Sequence, residues 1–222
     1  MESQNPESLS SVGHRCCDCT QQISFGVLLK TVLSYYDDDR AAAMPAIVLI
    51  GPPGVGKTTI GKLLAERLEL PHQDSDDAIV SETGMSIPQI FETCGEPEFR
   101  RLESETIERA LHSFGGVLSL GGGAVMTPET QGALANYQAE GGVVVFLDMD
   151  FEAAAPRLAE GGRPLLSGSD AMAQWRKLYD TRSTTYAAVS SFRVDTTRAT
   201  PFRVVTEILV NRDHALARGG SR

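Results

Sequence analysis

Residues 51–58 read GPPGVGKT, a glycine-rich segment whose residue types and spacing suit the binding of nucleotide phosphates. Glycines let successive backbone N–H groups converge on phosphate oxygens, because no Cβ intrudes. Lys57 can reach the β- and γ-phosphates, and the Thr58 hydroxyl can bind Mg²⁺. A plain glycine-rich turn, or a loop that binds nucleotide without catalysis, is the alternative. A predicted strand before the segment and a predicted amphipathic helix after it favour a nucleotide site.

Two aspartates, Asp74 and Asp76, stand near the end of the second predicted strand, in HQDSDDAI. Alternate side chains of an extended segment project the same way, so both carboxylates can face one cleft. One could support Mg²⁺ through water while the other takes up the proton of a substrate hydroxyl. The alternative is a solvated acidic turn that caps the next helix. Asp148, at the end of the apolar run VVVFLD, competes for the metal role, or caps a helix of its own.

Three glycines at 121–123 follow a short predicted strand in LSLGGGA. Glycines in this place indicate close approach of the backbone to a ligand or to a neighbouring element. Arg163, in EGGRPLL, lies in a glycine-flanked segment that could close as a lid over a transferring phosphoryl group, although an ordinary loop arginine fits the same residues. Arg100 and Arg182 stand on predicted helices, where each alone would be interpreted as a solvated charge.

The elements that must position these residues alternate between strand and helix. Continuous apolar runs at 46–50, 117–120 and 143–147 are typical of strands buried on both faces, and a short strand is predicted at 192–194. Helices are predicted from capping residues and apolar spacing. They run from the glycine loop to Pro71, from Ser86 (with Gln89) to near Gly95, from Phe99 to Ala110, from Thr127 and Pro128, and from Pro201. This alternation predicts a parallel sheet with helices on both faces.

The chain carries a formal net charge of −9 and has a pI of about 4.9. This charge argues against nucleic acid or an anionic membrane as a partner. The longest apolar stretch of the N-terminal region, residues 23–33, is far too short for a membrane span. Three cysteines cluster at 16, 17 and 19 and Cys94 stands alone, a pattern that favours thiols in a reducing cytoplasm over a disulfide framework.

The motifs in their order resemble those of the shikimate kinase family and cover about residues 46–210. They are GPPGVGKTT at 51–59, DSD at 74–76, FRRLE at 99–103, LSLGGGA at 118–124, RPLL at 163–166 and TRSTTY at 181–186. The resemblance implies an α/β fold: a three-layer α/β/α P-loop NTPase of the nucleoside-monophosphate-kinase type. This fold has a five-stranded parallel sheet, a small substrate-binding helical subdomain and a lid.

The resemblance also implies a reaction, the ATP-dependent phosphorylation of the 3-hydroxyl of shikimate to shikimate 3-phosphate, in chorismate and aromatic amino acid biosynthesis. ATP and shikimate are the implied partners and Mg²⁺ is the implied cofactor, in a protein that we expect to be a cytoplasmic monomer. Another small-molecule P-loop kinase, such as a gluconate kinase or a nucleoside monophosphate kinase, is the first alternative. A nucleotide-binding protein without enzymatic activity is the second.

Roles for individual residues follow from the same resemblance, position by position. The implied catalytic residues are Lys57, Asp76 and Arg163. The implied ATP contacts are Gly54, Val55, Gly56, Lys57, Thr58, Thr59, Arg157, Arg163 and Arg198. The implied shikimate contacts are Asp76, Arg100, Gly122, Gly123 and Arg182. Thr58 would bind the metal, and Asp74 would support it through water.

The predicted organisation has three parts. Residues 1–43 form an N-terminal extension, either poorly ordered or an over-long start whose true beginning is Met44. Residues 44–212 form the kinase domain, with a substrate-binding subdomain at about 76–112 and a lid at about 158–170. Residues 213–222 form a C-terminal tail.

Overall fold

The computed structural model describes residues 44–159 and 171–219, with side chains at 44–155 and 172–215. The predicted extension at 1–43, most of the predicted lid and the end of the tail lie outside the described residues. Within the described part, strands and helices alternate. In chain order the elements are β1 (Ile47–Ile50), α1 (Lys57–Leu68), β2 (His72–Asp74), α2 (Ser75–Thr83), α3 (Ile87–Ser113), β3 (Val117–Ser119), a 3₁₀ helix (Ala124–Met126), α4 (Pro128–Ala139), β4 (Val144–Asp148), α5 (Phe151–Ala159), α6 (Ala171–Ala188), β5 (Phe192–Asp195) and α7 (Pro201–Gly219).

The strands of the described residues form one five-stranded parallel sheet in the order β2-β3-β1-β4-β5. The central strand β1 pairs with β3, Ile47 opposite Val117, and with β4, Val48 opposite Val144. Because all strands run the same way, their carboxyl ends share one edge, and the segments that follow them meet there. The predicted three-layer α/β fold is confirmed.

Alternate side chains of the central strands pack into two separate cores, one on each face of the sheet. Ile47 and Leu49 belong to the core that includes Leu64 of α1 and Ile208 of α7. On the other face, Val48 and Ile50 pack with Ile107 of α3 and Leu134 of α4. This two-sided burial explains why the strands appear in the sequence as continuous apolar runs. A third, smaller cluster joins α2 and α3 through Ile79, Ile90, Phe99 and Leu102.

Several predicted helix boundaries are confirmed by the backbone. Gln89 accepts hydrogen bonds from the backbone and hydroxyl of Ser86 at the start of α3. Gly95 has φ 81° and ψ 166°, so it divides α3 into two helical segments at the predicted position. Thr127 precedes α4 and Pro201 begins α7.

The prediction that Asp74 and Asp76 share one extended segment is wrong for Asp76. Strand β2 ends at Asp74, and helix α2 begins at Ser75. The Asp74 carboxylate caps this helix by accepting from the backbone N–H of Asp76 at 3.1 Å. Because capping competes with continued extension, the chain turns into a helix between the two aspartates. The acidic turn that was the alternative therefore exists, although it lines a cleft rather than open solvent.

No helix in the described part of the chain has both the length and the apolar character to cross a membrane.

Candidate active site

The glycine-rich segment at 51–58, called the phosphate loop below, follows β1 and leads into α1 at the edge where the strands end. Gly51 has φ 145°, and a Cβ at this position would collide with the backbone carbonyl of Leu147. Gly56 has φ 97° and immediately precedes α1, in a left-handed conformation that residues other than glycine rarely adopt. The N-terminus of α1 therefore opens directly onto the loop, where the N–H groups of its first turn and the helix dipole favour an anion.

Lys57, the first residue of α1, is folded over the loop that precedes it. Its ammonium group donates to the carbonyl oxygen of Gly51 at 2.8 Å and to that of Pro52 at 3.1 Å. The positive charge therefore stays at the loop and does not extend into solvent. At the loop, it can contact the phosphates that the loop would bind.

Thr58 and Asp74 form an oxygen pair beside the loop that suits Mg²⁺. The Thr58 hydroxyl donates to Asp74 Oδ2 at 2.8 Å, and Asp74 Oδ1 accepts from the N–H of Asp76. Magnesium prefers hard oxygen ligands, and in phosphoryl-transfer sites it is bound by few protein groups together with water and phosphate oxygens. One hydroxyl and one carboxylate next to a phosphate loop fit that requirement.

Asp148, the competing candidate for the metal carboxylate, is engaged elsewhere. Its carboxylate is 1% exposed and accepts from the Tyr179 hydroxyl at 2.9 Å and from the backbone N–H of Met149 at 2.8 Å. It also pairs with Arg193 of β5 at 2.6 Å. Asp148 thus joins β4 to β5 and α6, and it does not line the cleft that contains the phosphate loop.

The residues predicted to bind shikimate converge on the three glycines after β3. A Cβ at Gly121 would lie 2.6 Å from Asp76 Oδ1, and one at Gly123 would lie 2.7 Å from both Nη atoms of Arg100. The carbonyl oxygen of Gly122 accepts from Arg182 at 3.0 Å. One carboxylate and two guanidinium groups, from three different helices, therefore converge on consecutive residues. Only residues without side chains permit this approach.

Two residues that support this convergence were missed by the sequence reasoning. Glu103 is 1% exposed and pairs with Arg100 at 2.6 Å, and Tyr186 donates its hydroxyl to the Gly122 carbonyl beside Arg182. Burial raises the pKa of Glu103, and the neighbouring Arg100 guanidinium opposes that shift. The spacing in the sequence could have indicated both residues, because helical residues three or four apart are neighbours. Glu103 follows Arg100 by three residues in FRRLE, and Tyr186 follows Arg182 by four in TRSTTY.

A single cleft of about 1310 Å³, as defined by the described residues, is lined both by the phosphate loop and by the residues predicted to bind shikimate. Residues 53–60 line one part of it, and Asp76, Arg100 and Arg182 line another. Phe91 and Phe99, whose ring centroids are 4.8 Å apart, lie at the acceptor end. The volume exceeds the roughly 300–1,000 Å³ of a usual one-ligand pocket, which suits two ligands bound side by side.

Of the arginines predicted to bind ATP, only Arg198 has a side chain among the described residues. Arg198 is exposed and does not line the cleft. Arg163 and the side chain of Arg157 lie outside the described residues. The cleft is also lined by residues that were not among the predicted contacts, most of them apolar: Leu178, Thr196, Ala199, Pro201 and Val204.

Comparisons with known proteins identify similar sequences and structures. A family model described as shikimate kinase matches residues 53–212. The shikimate kinase of Corynebacterium efficiens is 42% identical over 168 residues, covering 75% of this chain and 96% of the relative. That of Mycobacterium tuberculosis is 45% identical over 168 residues, with coverage of 74% and 92%.

Solved structures give a consistent result. A shikimate kinase from Acinetobacter baumannii in complex with shikimate has a TM-score of 0.69 and 34% identity, and the match covers 75% of this chain and 91% of that one. A gluconokinase from Sinorhizobium meliloti has a TM-score of 0.55 at 20% identity, covering 80% and 94%, and shows likeness of fold alone.

Proposed function

Since the chain belongs to the shikimate kinase family, we infer that it transfers the γ-phosphoryl group of ATP to the 3-hydroxyl of shikimate. The products are ADP and shikimate 3-phosphate, an intermediate of chorismate and aromatic amino acid biosynthesis. The observation that carries this conclusion is the shared cleft, which Asp76, Arg100 and Arg182 line together with the phosphate loop. A nucleotide-binding protein without an acceptor would not need that second group.

The acceptor half of the site suits a small hydroxylated carboxylate. Shikimate carries one carboxylate and three hydroxyls on a small ring. We assign its carboxylate to Arg100 and Arg182, because guanidinium groups bind carboxylates with paired, charge-assisted hydrogen bonds. Gly122 and Gly123 bring backbone groups close to the same position. The Asp76 carboxylate, which lies against Gly121, is suited to accept hydrogen bonds from the ring hydroxyls.

The donor half supplies positioning and positive charge. We assign the ATP phosphates to the backbone N–H groups of residues 54–59 and to the Lys57 ammonium. Mg²⁺, bound through Thr58 and supported by Asp74 through water, would neutralise developing charge on the phosphates. Arg157, Arg163 and Arg198 remain predicted contacts to ATP, with Arg163 as the residue of the lid.

The chemical step then needs little covalent participation by the protein. The 3-hydroxyl oxygen of shikimate bonds to the γ-phosphorus, and the bond from that phosphorus to the β–γ bridging oxygen breaks to release ADP. The hydroxyl proton passes to the Asp76 carboxylate, which is the proposed base. Arg100 and Arg182 hold the ring so that the hydroxyl stands in line with the breaking bond.

We further propose that the enzyme is a Mg²⁺-dependent monomer of the cytoplasm. The dependence on Mg²⁺ is supported by the Thr58–Asp74 oxygen pair. The monomer is supported by a cleft whose donor and acceptor groups all come from one chain. The cytoplasm is supported by the need for ATP and by the cysteine pattern, which favours thiols. Titration of thiols in freshly isolated protein would test this last point.

An acceptor panel tests the proposed function. ADP release is measured from ATP and Mg²⁺ with shikimate, with gluconate, with AMP or with no acceptor, and again with shikimate after removal of Mg²⁺ by EDTA. We expect ADP only when shikimate and Mg²⁺ are both present. Release that does not depend on shikimate, or that is faster with gluconate, would overturn the assignment.

A further inference from the structure

One face of helix α6 contacts the phosphate loop, the carbonyl of Gly122 and Asp148. Trp175, Tyr179, Arg182 and Tyr186 are spaced by four, three and four residues, so their side chains project from the same face of the helix. Arg182 and Tyr186 hold the carbonyl of Gly122, and Tyr179 holds Asp148. The remaining residue of this face, Trp175, has no part in the function proposed above.

Trp175 makes a hydrogen bond to the phosphate loop itself. Its indole N–H donates to the carbonyl oxygen of Pro53 at 2.9 Å, and the side chain is 1% exposed. The ring stacks on Tyr179 with centroids 5.2 Å apart and an interplanar angle of 11°, and it packs against Phe151 at 6.0 Å. A buried indole usually finds a partner for its N–H, and here that partner is a backbone carbonyl of the loop.

Pro53 is also fixed from its other side. A Cβ at Gly122 would lie 3.2 Å from Cγ and Cδ of the Pro53 ring, so the ring lies directly against that glycine. Helix α6 therefore contacts Pro53 directly through Trp175, and indirectly through Gly122, which Arg182 and Tyr186 hold. The peptide unit of Pro53 immediately precedes Gly54, the first of the residues assigned to the ATP phosphates.

We propose that Trp175 is a positioning residue for nucleotide binding, whose indole N–H holds the Pro53 carbonyl so that the loop N–H groups stay directed at the phosphates. Trp175 does not touch the nucleotide itself and acts through Pro53. This inference rests on the proposed function only in taking the ligand of the loop to be an adenine nucleotide.

Two substitutions on the same helix face separate positioning of the loop from general support of the helix. Trp175→Phe keeps an aromatic ring against Tyr179 but removes the N–H. Loss of one neutral hydrogen bond should weaken ADP binding, measured by calorimetry, and raise KM for ATP, each by about fivefold, while KM for shikimate stays unchanged. Tyr179→Phe is the matched control, since it also removes one polar hydrogen from this face but leaves the phosphate loop untouched. We expect it to leave ADP affinity unchanged.

A second measurement uses the unaltered protein and does not depend on the folding of a variant. Trp175 is the only tryptophan of the chain, so its emission reports on this contact alone. We expect Mg²⁺–ADP to change the emission with the same saturation curve as calorimetric binding. Unchanged emission at saturating ADP would overturn the proposal. So would equal weakening of ADP binding by the two substitutions, or unchanged affinity in Trp175→Phe.

These outcomes are distinct from failure of the proposed function. ADP binding is measured without any acceptor, so the assignment of Trp175 stands or falls independently of which acceptor the panel selects.

Discussion

Arg100 is held in place by the protein before any substrate carboxylate reaches it. Its guanidinium pairs with the buried Glu103 at 2.6 Å and with the exposed Glu96 at 3.3 Å, and it lies over Phe99 with Cζ 5.2 Å from the ring centroid. Glu103 in turn depends on Arg100, because a buried carboxylate without a partner is costly. This mutual dependence fixes the guanidinium toward Gly123 and the cleft.

Arg100→Ala should therefore affect shikimate more than ATP. Loss of a charge-assisted contact corresponds to a rise in KM for shikimate of roughly tenfold to a hundredfold, while KM for ATP changes little. The substitution also leaves Glu103 buried without its partner, so we expect a lower melting temperature. Steady-state kinetics with each substrate varied in turn, together with thermal unfolding, measure both effects.

Arg101→Ala is the matched control for this prediction. Arg101 is the next residue of α3, its side chain is 47% exposed, and it pairs with Glu98 and Glu105 on the outer surface. Exposed ion pairs contribute little, so both KM values should stay unchanged. An equal rise in KM for shikimate in both variants would contradict the assignment of Arg100.

The glycine segment after β3, residues 121–123, determines whether Asp76, Arg100 and Arg182 can approach one another. Gly123→Ala places a methyl group about where the Arg100 guanidinium now lies, at 2.7 Å from both of its Nη atoms. Because this guanidinium is the end of a flexible side chain, it can move aside without unfolding the protein. We expect a raised KM for shikimate, a nearly unchanged KM for ATP and a modest loss of stability.

The chain offers a matched glycine for comparison. Gly132 lies inside α4, and a Cβ there would meet nothing within 4 Å. Gly132→Ala should therefore stabilise the protein by about 0.5–1 kcal/mol through helix propensity, with unchanged kinetics. If Gly123→Ala left KM for shikimate unaltered as well, the close approach of Arg100 would not matter for binding.

Strand β2 carries a histidine that should make stability depend on pH. His72 Nε2 lies 2.9 Å from the Ser119 hydroxyl of β3, which donates to the carbonyl of Lys57. Burial lowers the pKa of His72 and Asp74 opposes the shift, while Lys62 adds to it. The unfolded chain therefore binds more protons than the folded one as pH falls through about 6.5, and stability should decrease in that range.

The corresponding test compares melting temperatures between about pH 8 and about pH 5.5, around the usual pKa of histidine. The unaltered protein should lose more stability on acidification than His72→Gln, in which this contribution is absent. His112→Gln, at an exposed position of α3, should behave like the unaltered protein. Identical slopes for the unaltered protein and His72→Gln would refute the prediction.

The parallel sheet brings segments that are distant in the sequence to one edge. The phosphate loop follows β1, Asp74 ends β2 and the glycines follow β3. Three neighbouring strands therefore position the loop, the aspartate proposed to support Mg²⁺ and the glycines beside the proposed shikimate contacts. This arrangement places ligands outside the carboxyl ends of the strands, as is usual for open α/β sheets.

The described core also predicts where a shortened chain can begin. The Tyr137 hydroxyl donates to the carbonyl of Pro45 at 2.8 Å, and Met44 packs against the core that contains Val48. The fold is thus closed at its N-terminal side by residues 44 and 45. A form beginning at Met44 should keep its melting temperature and its kinetic constants. Loss of folding or of activity in this form would contradict the prediction that residues 1–43 are dispensable.

Features that depend on neighbouring residues could be predicted from the sequence. The phosphate loop, the helix beginning after Thr127 and the interruption at Gly95 follow from backbone conformations that few residues adopt. The buried strands follow from continuous apolar runs. The family and its set of arginines and aspartates were likewise recognisable, because the motifs occur in a fixed order along the chain.

Which of these groups contact one another depends on the three-dimensional fold and could not be predicted from the sequence. Gly121 donates to the hydroxyl of Ser75 across 46 residues, and Arg182 reaches Gly122 across 60. Such contacts depend on strand order and helix packing, on which local spacing carries no information. For the same reason, the sequence left Asp148 as a rival metal ligand until the fold placed Tyr179 and Arg193 on its carboxylate. It also did not reveal Trp175, whose relation to Pro53 exists only where α6 passes the loop.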